Sequence, residues 1–226
     1  AGARVSAPPG GPPGGGVWRR GDEPATPPRR YLHLHGATRE HLGQVALAAR
    51  AHANRNPGAM MHDRVLTMDD YLAARWISEP LCLFDNCLES DGAGAVVITS
   101  AERARDTRRP AVLVHAFAQS IPPDHQTMTN FFCEDPLRGP AWDCAASLFG
   151  AADVGPDDVD VAQLYGAFSP LVLLSLEGYG FCDRGEAPGF VEDGGIALGG
   201  RLPVNTSGGG MSEAYVHGFN LITEAV

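Results

Sequence analysis

The stretch "LPVNTSGGGMSEAYVHG", Leu202 to Gly218, decides how the rest of this chain is read. It opens on apolar residues of strand character and passes three consecutive glycines. It ends in an amphipathic segment that presents Tyr215 and His217. Glycine weakens the interiors of strands and helices, so three in a row mark a backbone that bends or is closely approached. The expected form is a strand over "RLPVNTSGG", then a helix over "MSEAYVHGFNLITEAV" that is still amphipathic at its last residue. A glycine-rich turn from strand to helix can aim backbone N–H groups at a ligand.

Working outward, strands and helices alternate. "TREHLGQVALAARAHANRN" predicts a helix capped by Thr38, with Leu42, Val45, Ala46 and Ala49 at helical spacing, stopped by Pro57 and Gly58. A short helix follows at "TMDDYLAARWI", with Thr67 as its cap. "SDGAGAVVITSAERARD" predicts a buried strand through Val96, Val97 and Ile98, then a turn of helix capped by Ser100. "RPAVLVHAFAQ" predicts another strand after the breaker Pro110. Helices are expected near 140–151 and 167–179, with a short strand near 159–164 between them. This alternation implies a layered α/β fold.

Residues 1–30 stand apart. They hold seven Gly and seven Pro, residue types that resist helix and strand interiors, so a disordered or loop segment is expected. The chain has 226 residues, 44% apolar and 19% charged. That length and composition suit a folded core. Its net charge of −10 argues against nonspecific nucleic-acid binding and against docking on anionic membranes. No apolar run reaches the roughly 18 residues of a membrane span, and no signal peptide is evident, so a cytoplasmic setting is expected. The five cysteines, Cys82, Cys87, Cys133, Cys144 and Cys182, form no Cys-x-x-Cys pair and read as reduced, small core residues.

Four stretches, in order, carry a resemblance. "ANRNPGAMM" and "PLCLFDNCLESDGAGAVVITSAERARD" resemble the later part of the first thiolase half. "DVDVAQLYGAFSPLVLLSLEGYGF" resembles the segment in which thiolases carry an Asn or His before a Phe-containing turn. "LPVNTSGGGMSEAYVHG" resembles the family's Val-Asn-(small)-Gly-Gly segment with its Gly-His dipeptide. The match runs from about Thr38 to Val226 and is similar to the thiolase superfamily, including its sterol-carrier-type, lipid-transfer-protein-like members. The resemblance implies a thiolase-like layered α/β fold of mixed sheets with helices between and outside them, incomplete at both ends. It implies three parts: residues 1–30, residues 31–108 as the late part of the N-terminal half, and residues 109–226 as a C-terminal half lacking its last strands.

The departures narrow the chemistry. Ala214-Tyr215 stands where the family has Gly-His, and Tyr165-Gly166 stands where relatives carry His or Asn. The two tyrosines look like those of the thiolase-related aldolases of steroid side-chain degradation. This implies retro-aldol cleavage of a β-hydroxyacyl-CoA, with coenzyme A thioester as substrate and no separate cofactor. It also implies an OB-fold/zinc-ribbon partner protein and a homo-oligomer. The family's nucleophilic cysteines lie in contexts that none of these five occupies. Acyltransferase activity with the Cys supplied elsewhere, and a truncated non-catalytic scaffold, stay open as alternatives.

Enolate charge develops on the thioester oxygen during such a cleavage, and the site must aim donors at it. A tyrosine can donate to that charge or, with a lowered pKa, take the β-hydroxyl proton. Tyr165 and Tyr215 are the catalytic candidates. Asn205, Ser207, Gly208, Gly209 and His217 are the substrate-binding candidates, with His217 expected on a different helix face from Tyr215. The alternative for the glycines is tight packing against a neighbouring element. No metal site is expected: His33, His35, His41, His52 and His62 lack cysteine or carboxylate partners at ligand spacing. "DRGEAPGFVEDGG" reads as a solvated acidic loop, and "DGAG" lacks the remainder of a dinucleotide fingerprint.

Overall fold

The computed structural model describes residues 26–121 and 133–226. The Gly/Pro-rich segment falls outside them up to residue 25. Its last five residues do not form a loop: they begin helix α1, Thr26–His35. Pro27 and Pro28 sit in the first turn, where a missing N–H costs nothing. The helix is pinned by Tyr31, which is buried and hydrogen-bonds through its hydroxyl to Glu177.

Helix α2, Arg39–Ala53, is the centre of the molecule. Its buried Leu42, Val45, Ala46, Ala49 and Ala53 recur at spacings of three and four, which lines them on one side of a helix. It contacts α3 (Met68–Ala73), α6 (Ser169–Gly178), α7 (Ala187–Glu192) and α8 (Gly209–Ser212). Thr38 begins it with extended backbone, and the Thr38 N–H donates to His41 Nδ1 at 2.8 Å. Helix α3 is capped by Thr67 as expected, and the cap is a capping box with Asp70. Thr67 Oγ1 accepts from the Asp70 N–H at 3.2 Å, and Asp70 Oδ2 accepts from the Thr67 N–H at 3.1 Å. Ser100 caps α4, Ala101–Ala104, and Pro140 opens α5, Pro140–Ala152. Helix α9, Phe219–Ala225, is the last element. One core runs through α1, α2, α3, α6, α7 and α8, with Val172, Leu173 and Leu176 of α6 in one cluster with Leu202, Val204 and Met211.

The strands differ from expectation. Among the described residues the only ladder is a two-stranded antiparallel hairpin, β1 (Trp76–Ser78) and β2 (Leu81–Cys82). The stretch through Val96–Ile98 forms no strand among the described residues, and Val97 is 94% exposed. The stretch after Pro110 likewise forms none, with Phe117 88% exposed. Both carry β-forming side chains, yet a ladder needs a second strand alongside, and none lies there among the described residues. The strands expected near 159–164 and over 201–209 shrink to one parallel bridge, Ala162 to Val204. The C-terminal helix is also divided. His217 (φ 49°) and Gly218 (φ 82°) take left-handed backbone and separate α8 from α9. Such backbone cannot continue a right-handed helix. The acidic "loop" contains α7, whose Ala187, Pro188 and Val191 are buried while Glu192 faces out. No described helix is long and apolar enough to cross a membrane.

Candidate functional site

Tyr165 and Tyr215 are fifty positions apart in sequence, and their hydroxyls are hydrogen-bonded to each other. The ring centroids lie 6.2 Å apart. His217 joins them: its centroid is 5.6 Å from Tyr215 and 6.1 Å from Tyr165, and its Nδ1 is 3.4 Å from the Tyr215 hydroxyl. The different-face expectation for His217 therefore fails, because residues 213–218 are a turn, not a helix. Tyr165 is 41% exposed and His217 is exposed, so a solute can reach the cluster.

Each tyrosine is placed by buried polar groups. Tyr165 follows Leu164, whose N–H donates to Asn205 Oδ1 at 2.8 Å. The Asn205 N–H donates to the Ala162 carbonyl at 3.0 Å. Asn205 itself holds left-handed backbone (φ 55°). Asparagine tolerates that conformation better than most residues. His52 on α2 fixes it from below. The Leu198 N–H donates to His52 Nε2 at 3.2 Å. The proton therefore sits on Nδ1, which donates to the Asn205 carbonyl at 3.2 Å. In a neutral imidazole the bond made at one nitrogen settles the state of the other. Burial lowers the His52 pKa from its ordinary value, which keeps this neutral tautomer.

Tyr215 is placed by α8 and by Ser90. Helix α8 is clasped to α2: Arg50 Nε donates to Ser212 Oγ at 3.1 Å, and the N–H of Met60, in the "ANRNPGAMM" loop, donates to the Glu213 carbonyl at 2.8 Å. The glycine turn is buried and approached by the protein itself. A Cβ on Gly208 would lie 2.7 Å from Ala53 Cβ, and one on Gly209 would lie 3.0 Å from Asn205 Cβ. Ser207 donates through its hydroxyl to Glu213 Oε2 at 2.6 Å, and Asn220 Nδ2 donates to the same oxygen at 2.8 Å. Asn205, Ser207, Gly208 and Gly209 thus lie beneath the cluster and support it, while Tyr165, Tyr215 and His217 form its open face.

Electrostatics separate the roles available. The Tyr165 pKa is raised, first by burial and then by the Tyr215 hydroxyl, so Tyr165 remains a proton donor at neutral pH. Cys87 lies beside the cluster, and a Cβ on Gly210 would come within 3.8 Å of its own. Burial pushes the Cys87 thiol up, away from the thiolate that a nucleophile needs. Among the described residues no group of three or more His, Cys, Asp or Glu is placed to hold a metal. Sequence reasoning missed Ser90, whose Oγ accepts the Tyr215 N–H at 2.7 Å, and His52, whose role is read only from its contacts. Neither sits in a motif that names its partner.

A family model described as "Thiolase C-terminal domain-like" matches residues 124–226. Over 199 residues the chain is 45% identical to a 17-hydroxy-3-oxo-4-pregnene-20-carboxyl-CoA lyase of Mycobacterium tuberculosis, covering 88% of this chain and 52% of that one. It is 46% identical over 199 residues to a steroid side-chain-cleaving aldolase of Thermomonospora curvata, covering 88% and 51%. A solved "Ltp2-ChsH2(DUF35) aldolase" matches with a TM-score of 0.88 at 44% identity, covering 90% of this chain and 53% of that chain. The chain spans about half the length of these relatives.

Proposed function

The chain belongs to the thiolase superfamily and has its fold, and from that premise we propose that it carries the two-tyrosine centre of an acyl-CoA lyase. The reaction is retro-aldol cleavage of a β-hydroxyacyl-CoA in steroid or lipid side-chain degradation. The observation that supports this best is the hydrogen bond between Tyr165 and Tyr215, with His217 against them.

Tyr215 takes the β-hydroxyl proton, aided by its contacts with Tyr165 and His217. The C–O bond becomes a carbonyl as the Cα–Cβ bond breaks, and the electron pair moves onto the thioester as an enolate. Tyr165, held protonated, donates to that developing charge. Returning the proton to Cα yields the shortened acyl-CoA and an aldehyde or ketone. Electrons balance within the substrate, so the coenzyme A of the thioester is the only cofactor the step needs. Asn205, Ser207, Gly208 and Gly209 complete the substrate-binding region by holding the two loops under it.

We further propose action in the cytoplasm, as a homo-oligomer and with an OB-fold/zinc-ribbon partner. The two-component name of the matched aldolase supports a partner. The test is turnover of a β-hydroxyacyl-CoA with and without free coenzyme A, by the partnered protein and its Tyr165→Phe and Tyr215→Phe variants. Each substitution is expected to lower kcat by about 10²–10⁴-fold, the range for general acid–base groups. Full activity in both variants, or a product that requires free coenzyme A, refutes the proposal. The second outcome would indicate thiolysis instead.

A further inference from the structure

We propose that Ser90 is a positioning residue for Tyr215, carried on a strap, residues 86–94, that sets the spacing of the two tyrosine-bearing loops. This rests on the reading of Tyr215 as catalytic. The two loops are remote in sequence and meet directly at their base, through the Ala162–Val204 bridge and the Asn205 bonds to Ala162 and Leu164; a third segment ties them nearer the Tyr215 end. The strap crosses both. Asn86 bridges Phe168, and the Cys87 N–H donates to the Ala167 carbonyl at 2.8 Å, on the Tyr165 side. The Leu88 N–H then donates to the Gly210 carbonyl at 2.9 Å, on the Tyr215 side. Two residues later Ser90 Oγ accepts the Tyr215 N–H at 2.7 Å and lies 3.4 Å from the Tyr215 carbonyl, to which its hydroxyl donates.

The strap is anchored and closely fitted. Its N-terminal neighbour Asp85 is buried and accepts from the Tyr71 hydroxyl at 2.8 Å, from Ser169, and from the Cys82 N–H at 2.7 Å. Beyond Ser90, the glycines of "DGAG" let the strap pass over the segment that follows Tyr215. A Cβ on Gly92 would lie 2.9 Å from Val216 Cγ2, and one on Gly94 would lie 2.6 Å from Phe219 Cδ1. That motif serves close passage here. Ser90 is the strap side chain that bonds the main chain of Tyr215 at both its N–H and its carbonyl. It fixes the backbone from which the Tyr215 ring projects, and so the meeting of the two hydroxyls.

The test uses the assembly that turns over β-hydroxyacyl-CoA. Ser90→Ala is expected to lower kcat by about tenfold to a hundredfold, the effect of a displacement on the order of 1 Å. KM should stay within about twofold, because the Ser90 hydroxyl is engaged with the Tyr215 main chain. Ser90→Thr keeps the oxygen and should restore kcat to within about threefold of the parent. In the Tyr215→Phe background, Ser90→Ala should cost nothing further, since it acts through the missing hydroxyl. Parent-like kcat in Ser90→Ala, or a loss that multiplies the Tyr215→Phe loss, overturns the inference. If Ser90→Ala does not fold, Ser90→Cys replaces it, with the same lack of additivity expected. Labelled-tyrosine NMR gives a reading independent of turnover: the Tyr215 and Tyr165 ring signals should shift in Ser90→Ala, and unmoved signals overturn the positioning role. If Tyr215→Phe leaves kcat unchanged, the catalytic reading of Tyr215 fails, while these ring signals still decide the placement by Ser90.

Discussion

Gly208→Ala tests whether the glycine turn exists for close packing against α2. Gly208 has φ 112°, where an L side chain is strained, and a Cβ there would meet Ala53 Cβ at 2.7 Å, Glu213 N at 3.0 Å and Ala53 Cα at 3.1 Å. The left-handed backbone costs alanine about 1–2 kcal/mol. Forcing a methyl into a filled contact adds about 1–3 kcal/mol. Stiffening the unfolded chain returns about 0.4–1 kcal/mol. The net expectation is a loss of about 2–4 kcal/mol, read as a lower urea midpoint at an unchanged slope. The two contributions separate in a second background. Ala53→Gly removes the methyl that would be struck most closely, so Gly208→Ala should cost less there by a part of that about 1–3 kcal/mol, while the backbone strain and the contacts with Glu213 N and Ala53 Cα persist. A cost below about 1 kcal/mol, or an identical cost in both backgrounds, refutes the packing argument.

Other expectations follow from the buried ionisable groups. Asp85→Ala strips the acceptor from Tyr71, Ser169 and the Cys82 N–H. It should cost about 3 kcal/mol or more in urea unfolding. His52 has a pKa lowered from 6.5 by burial, so its contribution is complete above pH 6.5 and is lost as pH falls. The unfolded chain binds that proton first. His52→Gln should flatten the urea-midpoint profile below pH 6.5. On the alkaline side, burial and Glu177 push the Cys182 thiol up to about 12 from 9.0, and Tyr31, Tyr71 and Tyr165 are raised from 10.0. The unfolded chain releases these protons first. Stability is therefore intact below pH 9.0 and should fall above it. Tyr31→Phe should remove part of that fall, measured by unfolding at about pH 8 against about pH 10.5.

Much of the helical framework was legible in the chain itself. Thr38, Thr67 and Ser100 each stand at the cap they announce, α2 ends at Ala53, shortly before Pro57-Gly58, and a helix spans Pro140–Ala152 where one was expected. Helices and caps are closed by groups three or four residues apart, so a local window holds nearly all the information. The family pattern also singled out Tyr165 and Tyr215, because each replaces a different residue at a recognisable position. The same pattern misplaced His217, since it cannot tell that α8 stops at Ser212 and that His217 and Gly218 take left-handed backbone before α9.

What the amino-acid order determined, then, was which segments coil, where they stop and which side chains carry reactive hydroxyls. Tertiary structure decided what those hydroxyls meet. Among the described residues the β-forming stretches through Ile98 and Val114 have no strand beside them, because strand pairing depends on a distant partner and not on their own residues. Gly208 is required by Ala53, a residue far away in sequence, and the Tyr165–Tyr215 contact depends on His52 beneath one loop and Ser90 beside the other. Hydrogen bonds of that range leave no periodicity in the sequence. They appear only when the chain closes on itself and buried polar groups must find partners.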